Sequence, residues 1–427
     1  MITDNDNRSK IIGRIDWVTM LIYFALVLIG WFSIFSAKYN ELHPSIFDFS
    51  MEYGKQLIWI GAALFVGFII LLIDAKFFNA FSLWIYIIVL SSLVMVLVYG
   101  KATKGATSWI EFGPVKFQPS EFAKMATALA LAGYLDRLDI DLRKRKDQIV
   151  SAALILIPMA LVLLQNDTGS ALVFISFIFV LYREGMPGAG WLMVIGVVAA
   201  LLFIFTLVWS QKVMFLILGA LMVLVLLYLI YNRKRDAIIP AIIVFVMAFG
   251  IVFSVDYAFN HVLQEHQRNR VLVLLGQLDD PKGVGYNVYQ SKIAIGSGGF
   301  AGKGFLQGTQ TKYDFVPEQH TDFIFCTIGE EGGFLGTAAV VLLYVALLVK
   351  IITMAERQRS TFSRVYGYSI AGIFFVHVAI NIGMTIGLMP VIGIPLPFLS
   401  YGGSSMLAFT IMLAIFVKQD ANRLNIL

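Results

Sequence analysis

A chain of 427 residues that is 59% hydrophobic and only 14% charged, with a mean hydropathy of +0.81, carries too much apolar surface for one water-soluble core. Lipid must serve as its solvent, so it reads as an all-α, polytopic integral membrane helix bundle. The formal net charge of +5 is modest and gives nucleic-acid binding no support, and a single cysteine, Cys326, excludes a disulfide framework or a cysteine-rich metal site.

The polar start, MITDNDNRSKIIGRIDW, is followed by an apolar run longer than a signal-peptide core and without a small-residue cleavage site, which predicts a retained first helix. About twelve apolar segments approach the length a bilayer crossing needs. They are Trp17–Ser36, Gln56–Ile73, Phe81–Tyr99, Phe122–Tyr134, Ile149–Leu164, Ala171–Tyr182, Trp191–Trp209, Val213–Tyr231, Ile238–Phe259, Phe323–Val349, Val365–Leu388 and Met406–Val417. With a cytoplasmic N-terminus, the basic loops Arg137–Gln148, Asn232–Asp236 and Ala355–Arg364 and the tail with Lys418 and Arg423 all fall on the cytoplasmic side, as the positive-inside rule requires. The loops Lys101–Glu121, Gln165–Gly169, 260–321 and Met389–Gly403 then face outward. There is no internal repeat or soluble segment, so 1–427 is expected to be one membrane domain.

Several outward stretches could carry chemistry. GSGGFAGKGF, Gly296–Phe305, has the glycines of a phosphate loop, but Ser297 and Gly304 stand where a Walker A sequence needs Gly and Ser or Thr. Two readings stay open for it: a backbone that needs glycine's freedom, or bare N–H groups that approach an anion beside Lys292 and Lys303. Asp279-Asp280-Pro281 is a turn signature, and either acid could simply satisfy loop donors. The same surface gathers Arg268, Arg270, Lys292, Lys303, Glu318, His320 and Asp322, company that suits a general base acting on an anionic, lipid-linked substrate. QPSEFAK, Gln118–Lys124, opens a helix with Glu121 and Lys124 one turn apart, either as an interfacial ion pair or as charges facing a cavity. Asp167 in QNDTG and the Glu330-Glu331 pair in GEEGGFLG pose the same question. His320 lacks the companions of a zinc site. Pro390, Pro395 and Pro397 break the backbone at membrane depth, which is tolerated only where protein or a water-filled cavity satisfies it.

QPSEFAK, DPKGVGYNVYQSKIAIGSGGFAGKGFLQGTQTKYDFVPEQHTDFIF, GEEGGFLG and GIPLPFLSYGGSS, in that order and membrane context, resemble the SEDS family (shape, elongation, division and sporulation), and the GTQ and PEQHTDFIF wording is closer to its rod-shape branch than to its division branch. The resemblance implies a peptidoglycan glycosyltransferase of the bacterial cytoplasmic (inner) membrane. Such an enzyme polymerises lipid II beside a class B penicillin-binding protein and other elongation-complex proteins, without nucleotide cofactor, a divalent cation (Mg or Mn) being left open. It assigns the catalytic acid to Asp280, within the loop 260–321, and function to Glu121 and Lys124. With the outward cations and polar groups, the expected substrate contacts are Glu121, Lys124, Arg268, Arg270, Lys292, Lys303, Gln310, His320, Asp322 and Ser400. The family typically has ten membrane helices, so an extra pair is expected within 191–231. A lipid II flippase, a division-type member and a scaffold for a transpeptidase are the rival readings.

Overall fold

The computed structural model describes residues 14–39, 45–103, 106–112, 115–233, 238–263, 265–278 and 285–424. Asp279, Asp280 and Pro281–Val284 lie outside the described residues, and with them the expected catalytic acid. The chain forms two compact units, Met1–Pro187 with Asn287–Leu427, and Gly188–Tyr286.

In the first unit the helices are α1 (Trp17–Ala37), α2 (Glu52–Leu72), α3 (Ala75–Ala80) and α4 (Ser82–Tyr99). A small antiparallel sheet follows, β1 (Lys101–Thr103), β2 (Ala106–Phe112) and β3 (Val115–Phe117), in the order β1-β2-β3. After it come α5 (Pro119–Leu135), α6 (Arg145–Leu164), α7 (Thr168–Val173) and α8 (Phe177–Arg183). Among the described residues nine helices are long and apolar enough to cross a membrane, with two shorter apolar ones, Thr168–Arg183 and Ala189–Leu202. The protein is a helical, multi-pass membrane protein.

The second unit holds α9 (Ala189–Tyr231), α10 (Ile238–Tyr257) with a π turn at Ala258–Val262, and α11 (Glu265–Leu274). Its apolar centre is Met214, Leu218 and Val252, with Phe215 stacked on Phe249 at 5.4 Å. The expected pair of segments at 191–209 and 213–231 is one uninterrupted helix of 43 residues. Ser210-Gln211-Lys212 interrupts the apolar run but contains neither Gly nor Pro, so nothing breaks the hydrogen-bond ladder. At about 1.5 Å per residue the helix is roughly 65 Å long, about twice the hydrocarbon thickness of a bilayer.

The first unit resumes with α12 (Tyr286–Ser297, from Asn287), α13 (Thr309–Lys312), α14 (Ile324–Glu356), α15 (Thr361–Thr385) and α16 (Gly403–Ala421). Burial grades outward from its centre. The membrane spans of α15 and α16 are 72% and 83% buried, while those of α2 and α4 are 22% buried and turn Phe65, Phe68, Ile88 and Val98 outward. Short α5 packs on α4, α15 and α16, and its buried alanines at 123, 126, 128, 130 and 132 let the neighbours approach closely.

Candidate active site

The entrance to α5 is fixed before its charges are reached. Pro119 opens the helix at a position where its missing N–H costs nothing. The Gln118 N–H donates to Ser404 Oγ at 3.1 Å. Asp167 Oδ2 accepts from Gln118 Nε2 and Ser120 Oγ, both at 3.2 Å, and its Oδ1 caps α7 by accepting from the Ser170 N–H at 3.0 Å. Asp167 therefore ties the start of α5 to the start of α7.

One turn inward, Glu121 and Lys124 share a face that points into the bundle. Lys124 Nζ donates to Glu121 Oε1 at 2.8 Å and to His377 Nε2 at 2.8 Å, and lies 5.5 Å from the centre of the Phe409 ring. Relative exposures are 1%, 0% and 0% for Glu121, Lys124 and His377, so this is no interfacial pair with a snorkelling lysine. His377 Nδ1 meets the Pro395 carbonyl at 3.0 Å. A carbonyl only accepts and an ammonium only donates, which fixes a neutral imidazole with its proton on Nδ1. Glu121 Oε2 is buried without a hydrogen-bond partner.

His377 and Asn381, one turn apart on α15, hold the proline-rich segment. Asn381 Nδ2 donates to the carbonyls of Ile394 and Asp322, both at 2.8 Å, and the Tyr344 hydroxyl donates to the Pro397 carbonyl at 2.6 Å. Ser400 Oγ donates to the Thr321 carbonyl at 2.6 Å and accepts the Leu396 N–H at 2.8 Å. Side chains thus satisfy the broken backbone at 394–400, the condition for irregular chain at membrane depth. Gly30 permits the close approach, since a Cβ there would sit 2.7 Å from the Leu399 carbonyl oxygen.

The glycine-rich loop is folded onto a second break. α14 is interrupted at Gly333, where φ is 60° and ψ −155°. The Phe334 N–H donates to the Gly299 carbonyl at 2.9 Å, while the N–H groups of Lys303 and Gly304 donate to the carbonyls of Glu330 and Glu331 at 3.0 Å. A Cβ on Gly298 or Gly302 would meet this backbone, at 2.9 Å from the Glu330 oxygen and 2.7 Å from the Gly332 carbonyl carbon respectively. Lys303 Nζ reaches Glu330 Oε1 at 2.7 Å and Thr309 Oγ1 at 2.8 Å. Glu330 also accepts the N–H groups of Gln310 at 2.9 Å and Thr311 at 2.8 Å, and the Thr311 hydroxyl at 2.6 Å. Glu331 takes the Ser36 hydroxyl and, at 3.0 Å, the Leu306 N–H. The need for glycine's small size has direct geometric support at Gly298 and Gly302.

His320 stands 5.5 Å from Tyr401, ring centre to ring centre, and its carbonyl accepts the Tyr401 N–H at 2.9 Å. Burial and the neighbouring Lys38 push its pKa below the ordinary value, against the pull of Glu318, Glu52 and Asp314. Asp322 Oδ2 lies beside Gly393, and Lys292 is exposed with its stem along Gly387. Arg268, over the Phe259 ring at 5.9 Å, and Arg270 belong to α11 of the other unit. The structure therefore gathers Glu121 and Lys124 in one cluster, and His320, Asp322 and Ser400 along the chain that packs against the proline segment. His377 was not singled out in the sequence, although a lone ionisable residue in an apolar helix, FFVHVAINIG, is itself a signal of function.

Residues 16–219 and 193–424 match the FtsW/RodA/SpoVE family model, described as cell cycle protein. The chain belongs to this family, the SEDS family. It is 34% identical to the peptidoglycan glycosyltransferase MrdB of Escherichia coli K12, over 99% of this chain and 98% of that one, and 32% identical to the peptidoglycan glycosyltransferase RodA of Treponema pallidum, over 98% and 100%. A probable peptidoglycan glycosyltransferase FtsW of Trichlorobacter lovleyi is 27% identical over 96% and 94%. A chain from a solved peptidoglycan synthase complex, studied for its coordination of polymerization and crosslinking, superposes with a TM-score of 0.68 at 26% identity over 96% and 99%. The rod shape determining protein RodA of Thermus thermophilus shares the fold, with a TM-score of 0.62 at 23% identity over 96% and 98%.

Proposed function

We propose that this chain, a multi-pass peptidoglycan glycosyltransferase, polymerises lipid II at the outer face of the bacterial inner membrane during cell-wall elongation, paired with a class B penicillin-binding protein that crosslinks the product. The observation that carries the reading is the fully buried Glu121–Lys124–His377 cluster in a membrane bundle, since charge is retained in such surroundings for work. The match to MrdB and RodA along nearly the whole chain supports elongation over division.

Asp280 takes the proton from the 4-hydroxyl of one disaccharide as that oxygen attacks the anomeric carbon of the next, a contribution of about 10²–10⁴-fold. Undecaprenyl pyrophosphate leaves with its electron pair, so a single displacement inverts the donor. The departing charge needs a cation beside it, the role expected of Lys124, Arg268, Arg270 or Lys303. Among the described residues no three His, Cys, Asp or Glu side chains gather to hold a metal.

The test is the purified chain with its transpeptidase partner and lipid II in detergent. Wild type should extend glycan strands, and Asp280→Asn should lose on the order of 10²-fold or more of the rate with an unchanged melting profile. Unimpaired synthesis by Asp280→Asn would remove it as the base. No strands from wild type would favour the flippase reading, because there is no bilayer to flip across.

A further inference from the structure

Where α5 ends and α6 begins, a cavity of about 310 Å³ is lined by Arg137, Lys144 and Lys146 with Tyr134, Asp147 and Val150. The acid Asp147 is already engaged, accepting the Tyr134 hydroxyl at 2.9 Å and the Asp141 N–H at 3.0 Å. Asp139 is the other acid in the lining. Among the described residues none of the three cations forms an ion pair. The lining therefore carries three positive charges against two carboxylates, a net positive charge.

Its position says what kind of anion fits. The cavity lies at the end of the apolar span Arg145–Leu164. Lys146 and Val150 share their helix face with Ala153 and Ile157 at spacings of four, three and four residues, so the lining runs on into an apolar stripe. Ile157 is 47% exposed, with Ile149 and Leu156 exposed beside it. Leu138, next to Arg137, is fully exposed. Cations at headgroup depth above an outward apolar stripe match the two ends of one lipid molecule.

We propose that this cavity binds the phosphate headgroup of an anionic phospholipid, with the acyl chains along α6 and Leu138 set into the interface. The basic loop places the site on the cytoplasmic leaflet. It is separate from the glycosyl-transfer chemistry and does not depend on it.

The full chain, purified in detergent, would be titrated with phosphatidylglycerol and with phosphatidylcholine and read by native mass spectrometry, with inorganic phosphate as a competitor. Phosphatidylglycerol should be held in preference. Each cation near such a headgroup contributes roughly fivefold, so the triple variant R137Q/K144Q/K146Q should bind on the order of a hundredfold more weakly. None of the three makes an ion pair, and Arg137 only lies over the Tyr134 ring at 6.0 Å, so the lipid-free melting profile should move little. The single variants give the same reading in roughly fivefold steps if the triple variant fails to fold. Equal retention of the two lipids, or wild-type retention by the variants, would overturn the proposal. Displacement by equimolar inorganic phosphate would assign the cavity to a soluble phosphate and overturn the lipid occupant.

Discussion

Among the described residues of the first unit, two lysine–glutamate pairs are satisfied very differently. Lys303 and Glu330, 2.7 Å apart, close the break in α14, and the carboxylate of Glu330 also receives two backbone N–H groups and a hydroxyl from α13. Lys124 and Glu121, 2.8 Å apart, lie deeper, and one oxygen of Glu121 has no partner. A polar network with every member matched rigidifies the fold around it, whereas a partly matched one is costly to keep. The first pair is a clasp. The second is the one whose retention calls for a function.

Breaking the clasp should give the largest effect on folding. Glu330→Ala leaves Lys303 unpaired and strips the acceptor from Gln310 and Thr311, an expected loss of about 3–5 kcal/mol. Size-exclusion chromatography and thermal unfolding in detergent should show little monodisperse protein. A Glu330→Ala chain that melts like wild type would show that the loop is held by its backbone bonds alone.

The inner pair separates stability from activity. Lys124→Met strands a buried carboxylate and should destabilise by a similar amount, about 3–5 kcal/mol. The double variant E121Q/K124M removes both charges, so the melting profile should recover while strand synthesis does not. Full synthesis by the double variant would make this pair a clasp as well, and would erase the contrast. His377 sharpens the test. His377→Gln keeps one acceptor for Lys124 and one donor for Pro395, whereas His377→Phe removes one of the two acceptors of Lys124 and leaves the Pro395 carbonyl without its donor, at about 1–3 kcal/mol for an unsatisfied group. Gln should rescue synthesis and Phe should not.

The sequence made some of this legible and hid the rest for physical reasons. Hydropathy finds a helix that faces lipid, and α1, α2, α4 and α6 stand within a few residues of expectation. It is weaker for α5 and α16, whose surfaces meet other helices and so include small and charged residues. Polarity at Gln211-Lys212 divides the run 191–231 into two apolar segments, while the backbone, with neither Gly nor Pro there, continues as one helix. Local spacing put Glu121 beside Lys124, but His377 lies 253 residues further on and meets Lys124 only through packing. The glycines of 296–304 gave no sign of whether they face a ligand or another piece of backbone; that depends on the kink at Gly333.

The smallest expected effect concerns His320, outside the membrane spans. Its lowered pKa, caused first by burial and then by Lys38, means that the unfolded chain binds a proton near the ordinary histidine value while the folded chain still resists it. Stability should then be complete above about pH 6.5 and fall as the pH drops toward the folded value, by at most about 1.4 kcal/mol per pH unit. His320→Gln removes the titrating group and should flatten that part of the profile. Thermal unfolding in detergent between neutral and mildly acid pH checks it. An identical slope in wild type and variant would move the acid sensitivity to other groups and leave His320 as a packing residue beside Tyr401.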